Sequence, residues 1–445
     1  MPVSPARWAA YATLRDIENK RKFAVDILQS SRFSDFEDRD LNLAMELVMG
    51  VVRWRGDLDF EIERLSGRSL KYFDPEVRDI LRLGLYQIRF LSGIPKAAAV
   101  NESAELTKRA RKGSAVGLVN AVLRKCEKSA LGASGGETRE YVESARRSIP
   151  GWMLARWEQK FGSKSAQAIV LASQSVPQTC IRVRGEPRSI EQMQSELAGE
   201  GVHTRPGSFG SHALWVESGH VQATPEWREG RVVIQDEASQ LIAGLLRLKP
   251  GQTVLDLCAA PGIKTSHIAD SLAKGTIVAC DRSLRRLRTM NRIVRASEGV
   301  RLHKVLLDAA QPLPFARLFD RILVDAPCSG TGTLARNPEI KHRLRPEDLL
   351  HYAGRQARML KFGLDALAPK GRLVYATCSL ETEENQEVVA TVLSENSRYG
   401  LEGAEKLRRE LPEMASLIGD SGFFQTVPGV HPLDGFFAAV LARRE

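Results

Sequence analysis

From Trp8 to about Lys128, apolar residues recur three and four apart, as at Leu41, Ala44, Met45 and Val48 and again at Ile80, Leu83, Leu85 and Ile88. That spacing puts them on one face of a helix, so the first third of the chain reads as a bundle of amphipathic helices. Small residues and glycines collect in SALGASGGE, between about Ser129 and Glu137, which is the composition of a linker. After Ile149, helical stretches (WMLARWEQKFG, SIEQMQSELAGE) alternate with the strand-like runs TCIRVRG and HALWVE, the pattern of a small α+β unit. Beyond about Gly230 the short apolar runs TVLDL, TIVAC, RLHKVLL, RILVD and RLVYAT are separated by helical segments. This alternation predicts a parallel α/β sheet with helices on both faces. FFQTV and GFFAAVLA follow near the C-terminus and pair, on this reading, as an antiparallel edge. The expected organisation is an all-α domain over 1–130, a linker over 131–148, an α+β unit over 149–228 and an α/β sheet domain over 229–445.

Composition narrows this little. The 445 residues are 43% hydrophobic and 27% charged, which excludes disorder over most of the chain. No run approaches the ~18 apolar residues of a membrane helix, and Arg7 and Asp16 interrupt the start before a signal-peptide core forms. A cytoplasmic protein is therefore expected. Charge adds more: 64 Lys+Arg against 54 Asp+Glu leave a net +10, which favours a polyanionic partner. The six cysteines form no CxxC pair, so neither a disulfide framework nor a metal site is expected.

Candidate chemistry lies at the ends of the sheet runs. Asp256-Leu257 leads into Cys258-Ala259-Ala260-Pro261-Gly262-Ile263-Lys264-Thr265, a small-residue loop entering a helix. Asp281 ends the second run, Asp308 follows the third and Asp325 ends the fourth. Any one of them reads equally as a helix cap or turn residue. Four in succession line one rim of a sheet and suit a ligand with ribose hydroxyls and a positive charge. The loop has neither GxGxxG nor GxxxxGK[ST], which disfavours a dinucleotide or nucleoside triphosphate and leaves S-adenosylmethionine as the better fit.

Two thiols follow neighbouring runs, in Asp325-Ala326-Pro327-Cys328 and in Ala376-Thr377-Cys378. Thiolate addition at carbon 6 of a cytosine makes carbon 5 nucleophilic enough to take a methyl group, and a carboxyl group such as Asp325 near nitrogen 3 stabilises the adduct. Residue chemistry alone does not rank the two thiols.

DLCAAPGIKT, DAPCSGTGTLARNPEIK and YATCSLETEENQEVV closely resemble the signatures of RNA cytosine carbon-5 methyltransferases, with their Pro-Cys and Thr-Cys dipeptides. GVVRWRGDLD and VNAVLRK resemble the NusB domain carried by the bacterial Fmu (Sun) branch, which modifies 16S ribosomal RNA. The resemblance implies a Rossmann-like methyltransferase sheet behind a NusB-like domain. It makes Cys378 the nucleophile, has Cys328 assist release, and has Cys258 through Lys264, Asp281, Asp308 and Asp325 contact or frame S-adenosylmethionine. The implied partner is RNA, above all 16S ribosomal RNA, approached by a monomer without membrane or metal. The rivals are the same chemistry on transfer RNA, or a non-catalytic RNA-binding assembly factor. The sequence departs from the resemblance at Ile263, where the family has a second glycine, and at His342-Arg343, where an aromatic residue is expected.

Eight cations against Glu298 lie between Arg282 and Lys304, and a second basic cluster comprises Lys108, Arg109, Arg111, Lys112, Arg124, Lys125 and Lys128. Both are candidate phosphate contacts.

Overall fold

The computed structural model describes every residue except 1, 2, 21, 22, 29, 34, 128–137, 186–189, 211 and 445. The glycine-rich linker stretch and Lys128 thus lie outside the described residues. Two compact units emerge, one of residues 1–175 with 334–343, the other of 176–333 with 344–445.

The first unit is helical, as the three-and-four spacing requires. Asp38–Arg53, Arg55–Ser66, Pro75–Phe90, Lys96–Arg109 and Val116–Lys125 bury Leu47, Leu58, Ile62, Ile80, Leu81 and Leu123. Pro75–Phe90 is covered on nearly all sides, so its charges need partners: buried Arg82 bonds Asp59 at 2.6 Å and Asp79 at 3.0 Å. Arg139–Arg147, where a linker is expected, is a helix capped by Thr138, with Ser144 and Ala145 buried.

Residues 334–343 come from far along the chain yet pack into this unit. The Glu339 carboxylate accepts from Ala24 N at 2.8 Å, and Lys341 Nζ donates to the Arg53 carbonyl at 2.6 Å. His342 Nε2 is 2.7 Å from the Val52 carbonyl, which can only accept, so that nitrogen carries the proton. Burial pushes both Lys341 and His342 well below their ordinary values.

The second unit holds two sheets. Strands β1 (Cys180–Val183), β2 (His203–Pro206), β3 (Ala213–Ser218) and β4 (Val232–Ile234) form an antiparallel sheet in the order β2-β3-β1-β4. The larger sheet runs β10-β12-β9-β8-β5-β6-β7, where β5 is Gln252–Asp256, β6 Gly275–Asp281, β7 Val300–Leu306, β8 Phe319–Asp325, β9 Leu367–Thr377, β10 Tyr399–Leu401 and β12 Phe436–Arg443. β5 to β9 pair in parallel. Alternate residues of one strand enter different cores: Val254, Leu323 and Val374 on one face, Leu255, Val324 and Tyr375 on the other. Both faces are covered, which is why the runs are continuously apolar. β7 is the exception, an edge strand with Arg301, His303 and Lys304 exposed.

β11 (Phe424–Thr426) and β12 (Phe436–Arg443) pair antiparallel as expected, but β12 is no edge. β9 flanks it on one side, and β10 (Tyr399–Leu401) and β11 on the other, which accounts for its six consecutive buried residues. Among the described residues no helix is long and apolar enough to cross a membrane.

Candidate active site

β5 is where the sheet order reverses, with β6 on one side and β8 on the other. Loops leaving their carboxyl ends diverge there and open a crevice, the usual ligand position in such sheets. A cavity of about 300 Å³ occupies it, at the lower end of the about 300–1,000 Å³ of small-molecule sites.

The loop after β5 shapes its floor. Gly262 has φ 113°, and a Cβ there would lie 2.9 Å from Val294 Cγ2. A side chain would be strained twice over, once by the dihedral and once by the clash. Ile263 is the first residue of the helix Ile263–Ser271 and is half-buried away from the cavity wall, so the absent second glycine leaves the loop's conformation intact.

Cys258, Ala260, Pro261 and Lys264 line the cavity, as do Asp281, Asp308 and Asp325. Ala259, Gly262 and Ile263 do not. Asp256 is also withdrawn from the rim: it is buried, takes a 2.7 Å bond from Thr265 Oγ1, and is pushed by burial up to about 7. Three acids, not four, therefore face the ligand space. Asp281 Oδ1 accepts from Ser283 N at 2.8 Å, and Oδ2 lies 3.4 Å from Arg286. Asp308 accepts from Ala310 N and from Arg355, each at 3.0 Å; these hold its carboxyl below the ordinary value. Asp325 pairs with Lys264 Nζ at 2.8 Å. Burial pulls Lys264 down, but Asp325 and then Cys378 outweigh it and keep the ammonium above its ordinary range.

The thiols meet at the far end of the same cavity. Cys328 Sγ and Cys378 Sγ are 3.3 Å apart, because β8 and β9 are adjacent and parallel and end in register at Asp325 and Ala376. A hydrogen bond to Cys378, then burial, then the charges of Cys378 and Glu384 push the Cys328 thiol well up. Cys258, the third thiol here, is pushed up by burial and by Asp256, Asp325 and Asp281.

Sequence reasoning missed Phe436, whose ring lies 5.1 Å from Lys264 Nζ and lines the cavity from β12, and Arg355 on the helix Pro346–Asp365. No local pattern marks either. It also missed a buried polar cluster behind the thiols, built on Ser329, Ser379 and Glu384. There a signal existed, since both cysteines are followed by serine.

Residues 243–442 match the family model described as 16S rRNA methyltransferase RsmB/F, residues 4–128 match the NusB family, and residues 149–222 match a ferredoxin-like domain of RsmF/B-like methyltransferases. A probable ribosomal RNA small subunit methyltransferase B of Bacillus subtilis is 30% identical over 455 residues, covering 100% of both chains. The chain belongs to the RsmB/F family of 16S rRNA methyltransferases. The ribosomal RNA small subunit methyltransferase B of Vibrio cholerae, 32% identical, covers 91% of this RsmB/F chain and 90% of its own. Among solved structures PH0851 superposes with TM-score 0.77 at 22% identity, each chain covered to 99%. NSun6 from Pyrococcus horikoshii with SFG gives 0.58 at 20% identity, over 66% of this chain and 98% of its own. Both show the fold.

Proposed function

We propose that this RsmB/F protein methylates carbon 5 of a cytosine in 16S ribosomal RNA, through an adduct between Cys378 and carbon 6 of the base. The observation that carries the reading is the pair of sulfurs 3.3 Å apart on a cavity that also presents Asp325. S-adenosylmethionine is the cofactor, and the wall suits it: Asp281 and Asp308 offer acceptors to hydroxyls, Leu307 and Met359 an apolar flank, and Asp325 a negative charge. When bound, it supplies an electrophilic methyl carbon.

The chain's own groups supply the rest. Cys378, of the Thr-Cys dipeptide, is the sulfur that attacks, with Cys328 Sγ 3.3 Å away. As the bond from sulfur to carbon 6 forms, nitrogen 3 takes a proton relayed through Asp325 from the Lys264 ammonium 2.8 Å away, electron density passes to carbon 5, and the proton returns by the same route once carbon 5 carries the methyl group. Once Cys378 is a thioether, its influences that raise Cys328 are gone, the hydrogen bond first among them, while burial and Glu384 remain. Cys328 releases its thiol proton to solvent and takes the proton from methylated carbon 5, and the electron pair of that bond expels Cys378 as a thiolate. The elevated Cys328 thiol is therefore consistent with a base that acts second.

The two thiols should fail in opposite ways. Cys378→Ala is expected to give neither methylated RNA nor adduct. Cys328→Ala should methylate and then stall, leaving a protein–RNA band in denaturing electrophoresis. Accumulation of adduct by Cys378→Ala in place of Cys328→Ala would reverse the roles, and full activity of both variants would exclude covalent catalysis. Bisulfite mapping of RNA from cells with and without the protein identifies the cytosine, and a signal confined to transfer RNA would overturn the ribosomal assignment.

A further inference from the structure

Behind the two thiols lies a fully buried carboxylate that the reaction described above does not use. Glu384 stands six residues after Cys378, in the short turn Thr382–Glu384. Its Oε1 accepts from Ser329 N at 2.8 Å and Gln356 Nε2 at 3.0 Å, two groups that can only donate. Its Oε2 accepts from the hydroxyls of Ser329 and Ser379. The two serines directly follow the two cysteines, and their own hydroxyls are 3.0 Å apart. One carboxylate thus spans the loop after β8 and the loop after β9. Gln356 extends the tie, since its amide nitrogen also donates to the Pro327 carbonyl at 3.0 Å.

We propose that Glu384 is a positioning residue for methyl transfer: it clamps the two cysteine loops at the spacing the reaction needs. The inference rests on the reading given under Proposed function.

Two physical arguments support it. A carboxylate offers about four lone-pair sites, and four groups fill them, two on each oxygen; burial raises the Glu384 carboxyl, and these bonds from Ser329, Ser379 and Gln356 oppose it. The Glu384 charge is also among the influences that raise Cys328. After Cys378 has bonded to the base, the Glu384 charge remains and keeps the Cys328 thiolate a strong base for the carbon-5 proton. The neighbouring bonds fix the clamp. Tyr375 OH donates to the Glu384 carbonyl at 2.5 Å, and Asn385 Nδ2 donates to the Ser379 carbonyl at 2.8 Å.

The test is Glu384→Gln in the full-length protein, which keeps size and one acceptor oxygen while removing the charge. Iodoacetamide alkylation of each thiol, followed by peptide mass spectrometry across pH, reads the ranking directly. The variant should alkylate Cys328 at lower pH than wild type does, changing the ratio of the two thiols' rates about tenfold. Methylation kcat should fall on the order of 10- to 100-fold, as expected when reacting groups lose their alignment, with less than about threefold change in KM for either substrate. Should Glu384→Gln not fold, the double variant S329A/S379A, which leaves the charge but removes two donors, should lower kcat in the same direction with the alkylation ranking retained. An unchanged kcat and ranking in Glu384→Gln overturns the proposal, as does an unchanged kcat in S329A/S379A. A loss of kcat matched by equal losses in cofactor binding and thermal stability overturns it too, since that is a merely structural role. If instead neither Cys328→Ala nor Cys378→Ala accumulates an RNA adduct and both stay active, the covalent reading itself fails, whatever the alkylation shows.

Discussion

A carboxylate at a strand end serves the ligand or the fold according to what already occupies its oxygens. Asp281 does both: Oδ1 starts the next helix at Ser283, while Oδ2 shares Arg286 and faces the cavity. Asp281→Asn keeps an acceptor for Ser283 and weakens only the cavity side. It should cost on the order of 1–3 kcal/mol in S-adenosylmethionine affinity by calorimetry, with the melting temperature held. Wild-type affinity would move the ribose contact elsewhere. Asp256 serves the fold and is held protonated to about pH 7 by burial, against 3.8 for the free side chain. The unfolded chain releases this proton first, so stability declines as pH rises from about 4 to about 7 and is level beyond. Asp256→Asn carries no such charge. Its stability relative to wild type should therefore grow across that window, towards an upper limit of about 4 kcal/mol for a shift of three units, read from urea midpoints at pH 4.5 and 8. A constant difference between the two pH values would show that Asp256 is ionised in the folded protein.

Elements were legible in the sequence where one local period decides them. The five parallel strands stand out because helices cover both faces of the sheet, and the helical unit because each helix buries one stripe. The place of β12 was not legible: strand order depends on partners far away, and β10, which closes that side, is only three residues long. Nor was the role of each position in the cofactor loop, since Gly262 and Ile263 differ in dihedral angle and not in setting. That difference predicts opposite outcomes for neighbouring substitutions. Gly262→Ala forces a Cβ into a positive φ against Val294 and should destabilise by at least about 1–2 kcal/mol while weakening the cofactor. Ile263→Gly, which brings the family's second glycine, should leave cofactor affinity within about twofold. Thermal unfolding and calorimetry on both variants decide it, and equal losses would mean that the loop needs two flexible positions.

Across the whole chain the net +10 is unevenly usable, and this could not be read from composition. In the helical unit Lys108 pairs with Glu105 at 2.6 Å, Lys112 with Asp74 at 2.8 Å, and the Arg109 guanidinium stacks 3.9 Å from the Trp8 ring centre. Those cations already have local counterparts. The helix Leu284–Ile293 differs, for Arg285, Arg288 and Arg292 are exposed and the only acid between residues 282 and 304 is Glu298. Arg282 and Arg286, at the start of the same stretch, line the cavity, so a strand of RNA held along this helix leads towards the thiols. Each phosphate contact on single-stranded RNA contributes about 0.7 to the slope of log affinity against log salt. Replacing Arg285, Arg288 and Arg292 by Ala should therefore flatten that slope by up to about 2 and leave S-adenosylmethionine binding unchanged. Replacing Lys108, Arg109 and Lys112 should flatten it by less. Filter binding of a 16S fragment from about 50 to 300 mM salt measures both slopes; a larger change in the second set would put the RNA on the helical unit first.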